Sequence, residues 1–260
     1  MPELRFDDGA AYEQVMGVWS RSVGEVFLDW LKPPQGLRWI DVGCGSGAFT
    51  ELILARSAPT GVQGIDPSEG QLAFARTRAG ARGAVFQTGD AMALPFPTAS
   101  FDAAVMALVL VFVPDPSKAV AELARVVVPG GLVATYMWDM LGGGFPLDPI
   151  VDEMNAMGLS PTRPPHMEAS TLAALQDLWR AAGLEQIESR EITVQRTFAD
   201  LDEFWTLETK SPSLAPVVAA MPAADIATLK QRLSTHLPAD SDGRITWSGR
   251  AHAISGRKPG

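Results

Sequence analysis

The chain has 260 residues, 47% of them hydrophobic and 20% charged, with a formal net charge of -9. That length can bury a large core in one domain, with or without insertions, and the mix is that of a soluble globular protein. The acidic balance argues against nucleic acid, which proteins hold mostly through Lys and Arg on phosphates, and leaves a small molecule as the expected partner.

The single cysteine, Cys44, excludes an internal disulfide and fits a reducing compartment. The N-terminal stretch MPELRFDDGAAYEQ lacks the apolar core of a signal peptide, and the longest apolar run, 103–113, is too short to span a bilayer. A cytoplasmic, unanchored protein is expected, with no membrane partner. Nothing in the residue pattern sets an oligomeric state.

Tyr12, Val15, Met16, Trp19, Val23, Phe27 and Trp30 fall on one helical face and predict an N-terminal helix that ends at Lys32-Pro33-Pro34. The stripe reads first as core packing, and Tyr12 and Trp19 are also candidates for closing over a cofactor. Leu37 to Thr50, LRWIDVGCGSGAFT, reads as a strand, a tight glycine turn and a helix start. Gly43, Gly45 and Gly47 let the backbone touch a ligand beside the free N–H groups of a helix N-terminus, so a nucleotide-like cofactor is expected there. A second strand, GVQGI, ends in Asp66, which lies 19 positions after Gly47. This is about the distance at which a βαβ unit delivers a carboxylate to a ribose.

Ser68 is placed to cap the next helix with Gln71 as its capping-box partner. Ala84 to Gln87 is a third strand, followed by Asp90, Ala91 and Met92, where the acid can accept from an exocyclic amine and Met92 can pack on a flat ring. Taken alone, such an acid is more often a turn residue. Ala103 to Leu108 is nearly all apolar, as in a parallel strand covered on both faces. A helix over Ser117–Val127, a stop at Pro129-Gly130-Gly131 and a fifth strand over Leu132–Trp138 follow.

Asp139 to Ala169 is broken by glycines and prolines and rich in Met, which predicts a substrate lid. Beyond it come a helix over Thr171–Ala182, a strand over Glu188–Thr197, a helical insertion with Ile226, Leu229, Leu233 and Leu237 on one face, and a last strand over Arg244–Arg257. The order predicts one domain over 1–260, with a helical cap at 1–36, a cofactor-binding core at 37–138, and insertions at 139–170 and 199–243 as the lid.

With these residues in order, the chain resembles the class I S-adenosylmethionine-dependent methyltransferases, within the small-molecule group that includes quinone-biosynthesis enzymes. The carrying motifs are DVGCGSG at 41–47, GIDPS at 64–68, TGDAMALPFPTASFD at 88–102 and RVVVPGG at 125–131. The resemblance implies an α/β fold, a doubly wound, mostly parallel seven-stranded Rossmann-like sheet with an antiparallel C-terminal edge pair and helical insertions. It implies S-adenosyl-L-methionine as cofactor. The turn of Gly43, Cys44, Gly45 and Gly47 would pass its methionine part, and Asp41 and the carbonyls of Ala107 and Leu108 would orient its amino group. Asp66 would hold the ribose hydroxyls, Pro67, Ser68 and Gln71 would wall the nucleoside, and Asp90, Ala91 and Met92 would flank adenine. One departure is that many relatives carry histidines where this chain has Val111 and Phe112, which leaves an apolar wall.

Methyl transfer from a sulfonium needs alignment and a dry site more than a catalytic triad or a metal, and no such set is expected here: His166, His236 and His252 are scattered and there is no cysteine pair. No catalytic residue is assigned; His166 is the one candidate base if the acceptor must lose a proton. Two other readings stay open. GCGSGA also fits a nicotinamide-dependent oxidoreductase, and a cofactor-binding regulator that does not methylate would have the same core.

Overall fold

A computed structural model describes residues 13–260; the expectation for Tyr12 lies outside the described residues. A π-helical turn, Glu13–Gly17, leads into α1 (Val18–Leu31), whose Trp19, Val23 and Phe27 are fully buried. The apolar stripe therefore does what a helical stripe does, covering one face of a sheet.

The sheet has the order β3-β2-β1-β4-β5-β7-β6. Its parallel part comprises β1 (Arg38–Val42), β2 (Gly61–Asp66), β3 (Ala84–Thr88), β4 (Phe101–Ala107) and β5 (Val127–Trp138). Crossovers run through α2 (Ala48–Ser57), α3 (Glu69–Thr77) and α4 (Pro116–Val126). Ser68 caps α3 by accepting from Gln71 N–H at 3.3 Å, and Asp115 caps α4 by accepting from Lys118 N–H at 3.0 Å. The chain winds outward from β1 in one direction and from β4 in the other, so a crevice opens between their carboxyl ends.

Two boundaries differ from expectation. The strand β5 starts at Val127, because helix α4 hands over to extended backbone at once and Pro129-Gly130-Gly131 lies inside the strand rather than before it. Strand β6 starts earlier, at Glu185, and runs to Phe198. The last strand, β7 (Ile245–Arg257), inserts between β5 and β6 and pairs antiparallel with both, so β6 alone forms that edge.

The first insertion carries α5 (Asp148–Ala156) and then an irregular stretch before α6 (Leu172–Ala181). Arg250 of β7 anchors its start, with Nη2 2.6 Å from Asp139 Oδ2. His166 N–H donates to the Val111 carbonyl at 3.1 Å, which holds the far end against the exit of β4. The second insertion holds α7 (Leu201–Glu208), α8 (Ala215–Ala220) and α9 (Ala223–His236). Leu229 and Leu233 of α9 are buried, and Arg232 and His236 pair with Glu153 of α5, joining the two insertions. Among the described residues no helix is long and apolar enough to cross a membrane.

Candidate functional site

A cleft of ≈ 1560 Å³ opens at the carboxyl ends of β1, β2 and β4. Its floor is the glycine turn. Gly43 sits at φ 72°, where an added Cβ would lie 2.5 Å from Val109 Cγ1, so no side chain fits beneath the turn. Gly45, at φ 49°, faces open space, the nearest atom to an added Cβ being Gln71 Oε1 at 3.8 Å. One glycine admits a neighbour; the other admits a ligand.

Asp66 holds the turn in place. Its Oδ2 accepts Gly45 N–H at 2.9 Å and its Oδ1 accepts Ser68 N–H at 2.9 Å. Burial raises its pKa, and those two backbone donors work against the rise. Asp41, at the end of β1, is fully buried. Its Oδ2 accepts Thr50 Oγ1–H at 2.6 Å, while its Oδ1 has no hydrogen-bond partner among the described residues. Burial pushes this carboxyl up to about 7, with Asp66 nearby adding to the effect. An unsatisfied buried carboxylate oxygen is costly and marks a place for a donor or a cation.

Cys44 lines the same cleft, but burial and the two aspartates hold its thiol well above its usual pKa, so it is a packing group and not a nucleophile. Pro67, Ser68 and Gln71 wall one side, and Ala107 and Leu108 stand at the end of β4. Leu108 has φ 62°, a left-handed conformation that costs a non-glycine residue about 1–2 kcal/mol and that turns the chain sharply at the cleft.

Other expected site residues lie elsewhere. Trp19 does not close over the cleft: it is fully buried, 6.5 Å from the Phe198 ring, and its indole N–H donates to Glu208 Oε1 at 3.0 Å. Gly47 is outside the lining and packs on α3, where an added Cβ would meet Ala75 Cβ at 3.0 Å. Asp90, Ala91 and Met92 are also outside the lining. Asp90 is exposed and its Oδ1 accepts Met92 N–H at 2.8 Å, the geometry of a turn acid.

The structure adds residues that no motif announced. Ser20 and Arg21 of α1, Phe49, Tyr136 of β5 and the loop 160–166 complete the wall. Ser46 Oγ donates to Glu13 Oε1 at 2.7 Å, which ties the N-terminal turn to the glycine turn. His166 lines the cleft with its Nδ1 3.1 Å from Glu168 Oε1.

Behind Leu108 and Phe112 lies a second, smaller chamber of ≈ 80 Å³. Met16, Met137, Met140, Phe145, Leu147 and Val151 make it apolar, and Ser211 and Ser213 reach it from the second insertion. Leu108, Phe112, Thr162, Arg163 and Pro164 line both spaces, so the two share a wall.

The sheet has the order and the antiparallel C-terminal strands of Rossmann-like methyltransferase structures, and comparison with known proteins finds methyltransferases over the core of the chain. Residues 40–135 match the family described as Methyltransferase domain. The chain is 36% identical over 112 residues to 2-phytyl-1,4-naphtoquinone methyltransferase of Thermosynechococcus vestitus, a match covering 42% of this chain and 50% of that one. A longer match, 29% identical over 227 residues, covers 80% of this chain and 81% of trans-aconitate 2-methyltransferase of Methylobacterium nodulans. The solved structure of Haemonchus contortus phosphoethanolamine N-methyltransferase 2 in complex with S-adenosyl-L-methionine has the same fold, with a TM-score of 0.58 at 18% identity over 97% of this chain and 57% of that one. The chain spans half or less of the length of the quinone-methylating relatives it matches.

Proposed function

We propose that the protein transfers the methyl group of S-adenosylmethionine by direct displacement to a small acceptor whose apolar part sits in the chamber behind Leu108. The observation that carries this reading is the pair of acids in the cleft. A carboxylate offers about four acceptor sites; Asp66 uses one on each oxygen for the backbone, which leaves room for vicinal hydroxyls. Asp41 keeps a buried oxygen unpaired. A nucleoside with a cationic amino acid tail satisfies both acids. The pyrophosphate of a nicotinamide cofactor would bring like charge against them, which disfavours the oxidoreductase reading.

In this reading Gly43, Gly45 and Asp41 hold the methionine end, with Ala107 and Leu108 beside its amino group, and Asp66, Pro67, Ser68 and Gln71 hold the nucleoside. Once bound, S-adenosylmethionine supplies a methyl group on a sulfonium that needs no further activation. The chain contributes alignment and exclusion of water, and orientation alone is worth about 7–11 kcal/mol in well-placed systems. Phe112 and the prolines of the loop 160–166 supply the dry side. The two insertions reach the chamber through Phe145 and Ser211, which supports their role as an acceptor lid on one domain. The net charge of -9 and the lone cysteine support a cytoplasmic enzyme with a small-molecule acceptor and no nucleic-acid partner.

Isothermal titration with S-adenosylmethionine, S-adenosylhomocysteine and NAD tests this directly. Binding of the two sulfur nucleosides and none of NAD is expected; NAD binding without sulfonium binding would overturn it. Formation of S-adenosylhomocysteine only when an acceptor is added separates an enzyme from a regulator.

A further inference from the structure

We propose that the methyl acceptor is a small carboxylic acid with an apolar body, that Arg163 holds its carboxylate where the chamber meets the cleft, and that the product is a methyl ester. This rests on the methyl-transfer reading above and names the acceptor class for that site.

Among the described residues Arg163 is the one charged side chain lining the chamber, and it lines the cleft as well. It therefore stands on the shared wall, the place where an acceptor atom must meet the methyl group. Its guanidinium is held from three sides. Nε donates to Met167 Sδ at 3.2 Å, Nη2 donates to the Met140 carbonyl at 3.0 Å, and Nη1 donates to Asp148 Oδ1 at 3.3 Å. A guanidinium has five N–H donors in a rigid fork. Three are engaged here, which leaves one on each terminal nitrogen, in a group already fixed in position.

The charge balance points the same way. A cation in an apolar wall is unfavourable unless closely paired. The pairing carboxylate, Asp148, sits at the long end of hydrogen-bond range, and its other oxygen is taken by Phe145 N–H at 2.9 Å. Arg163 already pairs with Asp148, and an incoming carboxylate would take the two remaining donors, one on each terminal nitrogen, in the bidentate geometry that guanidinium favours. A neutral acceptor leaves those donors without a charged partner.

The chemistry also fits the residues that are present. An alcohol or phenol must give up its proton, and the imidazole that could take it, His166, lines the cleft and not the chamber. A carboxylate arrives as an anion. A lone pair on one carboxylate oxygen forms the new O–C bond as the C–S⁺ bond breaks. The bonding pair stays on sulfur, the two opposite charges cancel, and no proton moves. The chamber volume of ≈ 80 Å³ suits a small ring or a short branched chain as the body of the acid.

The test uses the full chain saturated with S-adenosylhomocysteine and titrated with phenylacetate and hexanoate against phenylacetamide and hexanamide. The acids are expected to bind at least tenfold more tightly than the amides of equal size. Arg163→Met should erase that preference and Arg163→Lys should keep part of it, each variant being titrated at its own S-adenosylhomocysteine saturation. A purely structural arginine would not change the acid-to-amide ratio. With methyl-tritiated S-adenosylmethionine, the label carried by the acids should be released as volatile methanol in alkali. Equal binding of acids and amides, no binding of either, or an undiminished preference in a folded Arg163→Met protein overturns the proposal. Loss of S-adenosylhomocysteine binding by the wild type would instead overturn the methyl-transfer reading. The wild-type comparison stands even if one variant fails to fold.

Discussion

Asp41 and Asp66 end neighbouring strands, yet the fold treats them differently. Asp66 is a bracket: its two backbone bonds shape the glycine turn, so its removal loosens the turn and, in the proposed reading, also deletes the acceptor for hydroxyls. Asp66→Ala is expected to weaken S-adenosylhomocysteine binding at least 100-fold by titration, with circular dichroism showing a folded chain. Wild-type affinity would remove the assignment.

Asp41 is a buried acid with an ionisation penalty, its pKa raised to about 7 from 3.8. The folded state therefore holds a proton that the unfolded state releases between those values. Stability from this group is fully present below the unfolded pKa and is lost as pH rises through the folded one. Asp41→Asn keeps an acceptor for Thr50 and removes the penalty. It is expected to raise the melting temperature relative to wild type at about pH 8, and by much less at about pH 5; a pH-independent difference would contradict this.

At the scale of elements, the joint between the N-terminal helix and the second insertion rests on Glu208. This side chain is fully buried, accepts from Trp19 of α1, and lies 3.3 Å from Arg196 Nη1 of β6. Burial lifts it to about 7 against the pull of Trp19 and Arg196. Removing one member of a buried charged pair strands the other, so Glu208→Ala should destabilise by about 3 kcal/mol in urea denaturation. Glu208→Gln should do less harm, because it still accepts from the Trp19 indole. Equal losses in the two variants would assign the effect to volume rather than to hydrogen bonding.

Among the described residues one sheet spans the molecule: its parallel half carries the cleft and, after β5, the first insertion, and the second insertion lies between its antiparallel strands β6 and β7. A ligand seated in the cleft would touch the ends of the parallel strands and the loop 160–166 together. At a concentration near 100 times its Kd, S-adenosylhomocysteine is expected to add about 2.7 kcal/mol. In a chain of this size that raises the melting temperature by roughly 5–10 °C. NADH at the same concentration should leave the melting temperature unchanged.

The parallel core and the floor of the cleft were legible because they depend on local rules. Alternating apolar runs, Ser68 ahead of α3 and glycines between β1 and α2 act through backbone conformation within a few residues, so β1 to β4, Gly43, Gly45 and Asp66 could be placed from order and spacing. Trp19 shows where that stops. Periodicity tells which face of α1 is buried but not what covers it, and its partner Glu208 lies 189 positions away. Asp90 shows the same limit, since a motif position cannot reveal that its carboxylate closes a turn on Met92. The apolar chamber, the left-handed Leu108 and Arg163 at the shared wall arise where four distant segments meet. The floor of the cleft was thus determined by the sequence through local backbone chemistry, while the apolar chamber was decided by tertiary packing, because no local rule governs which remote side chains come to share a cavity.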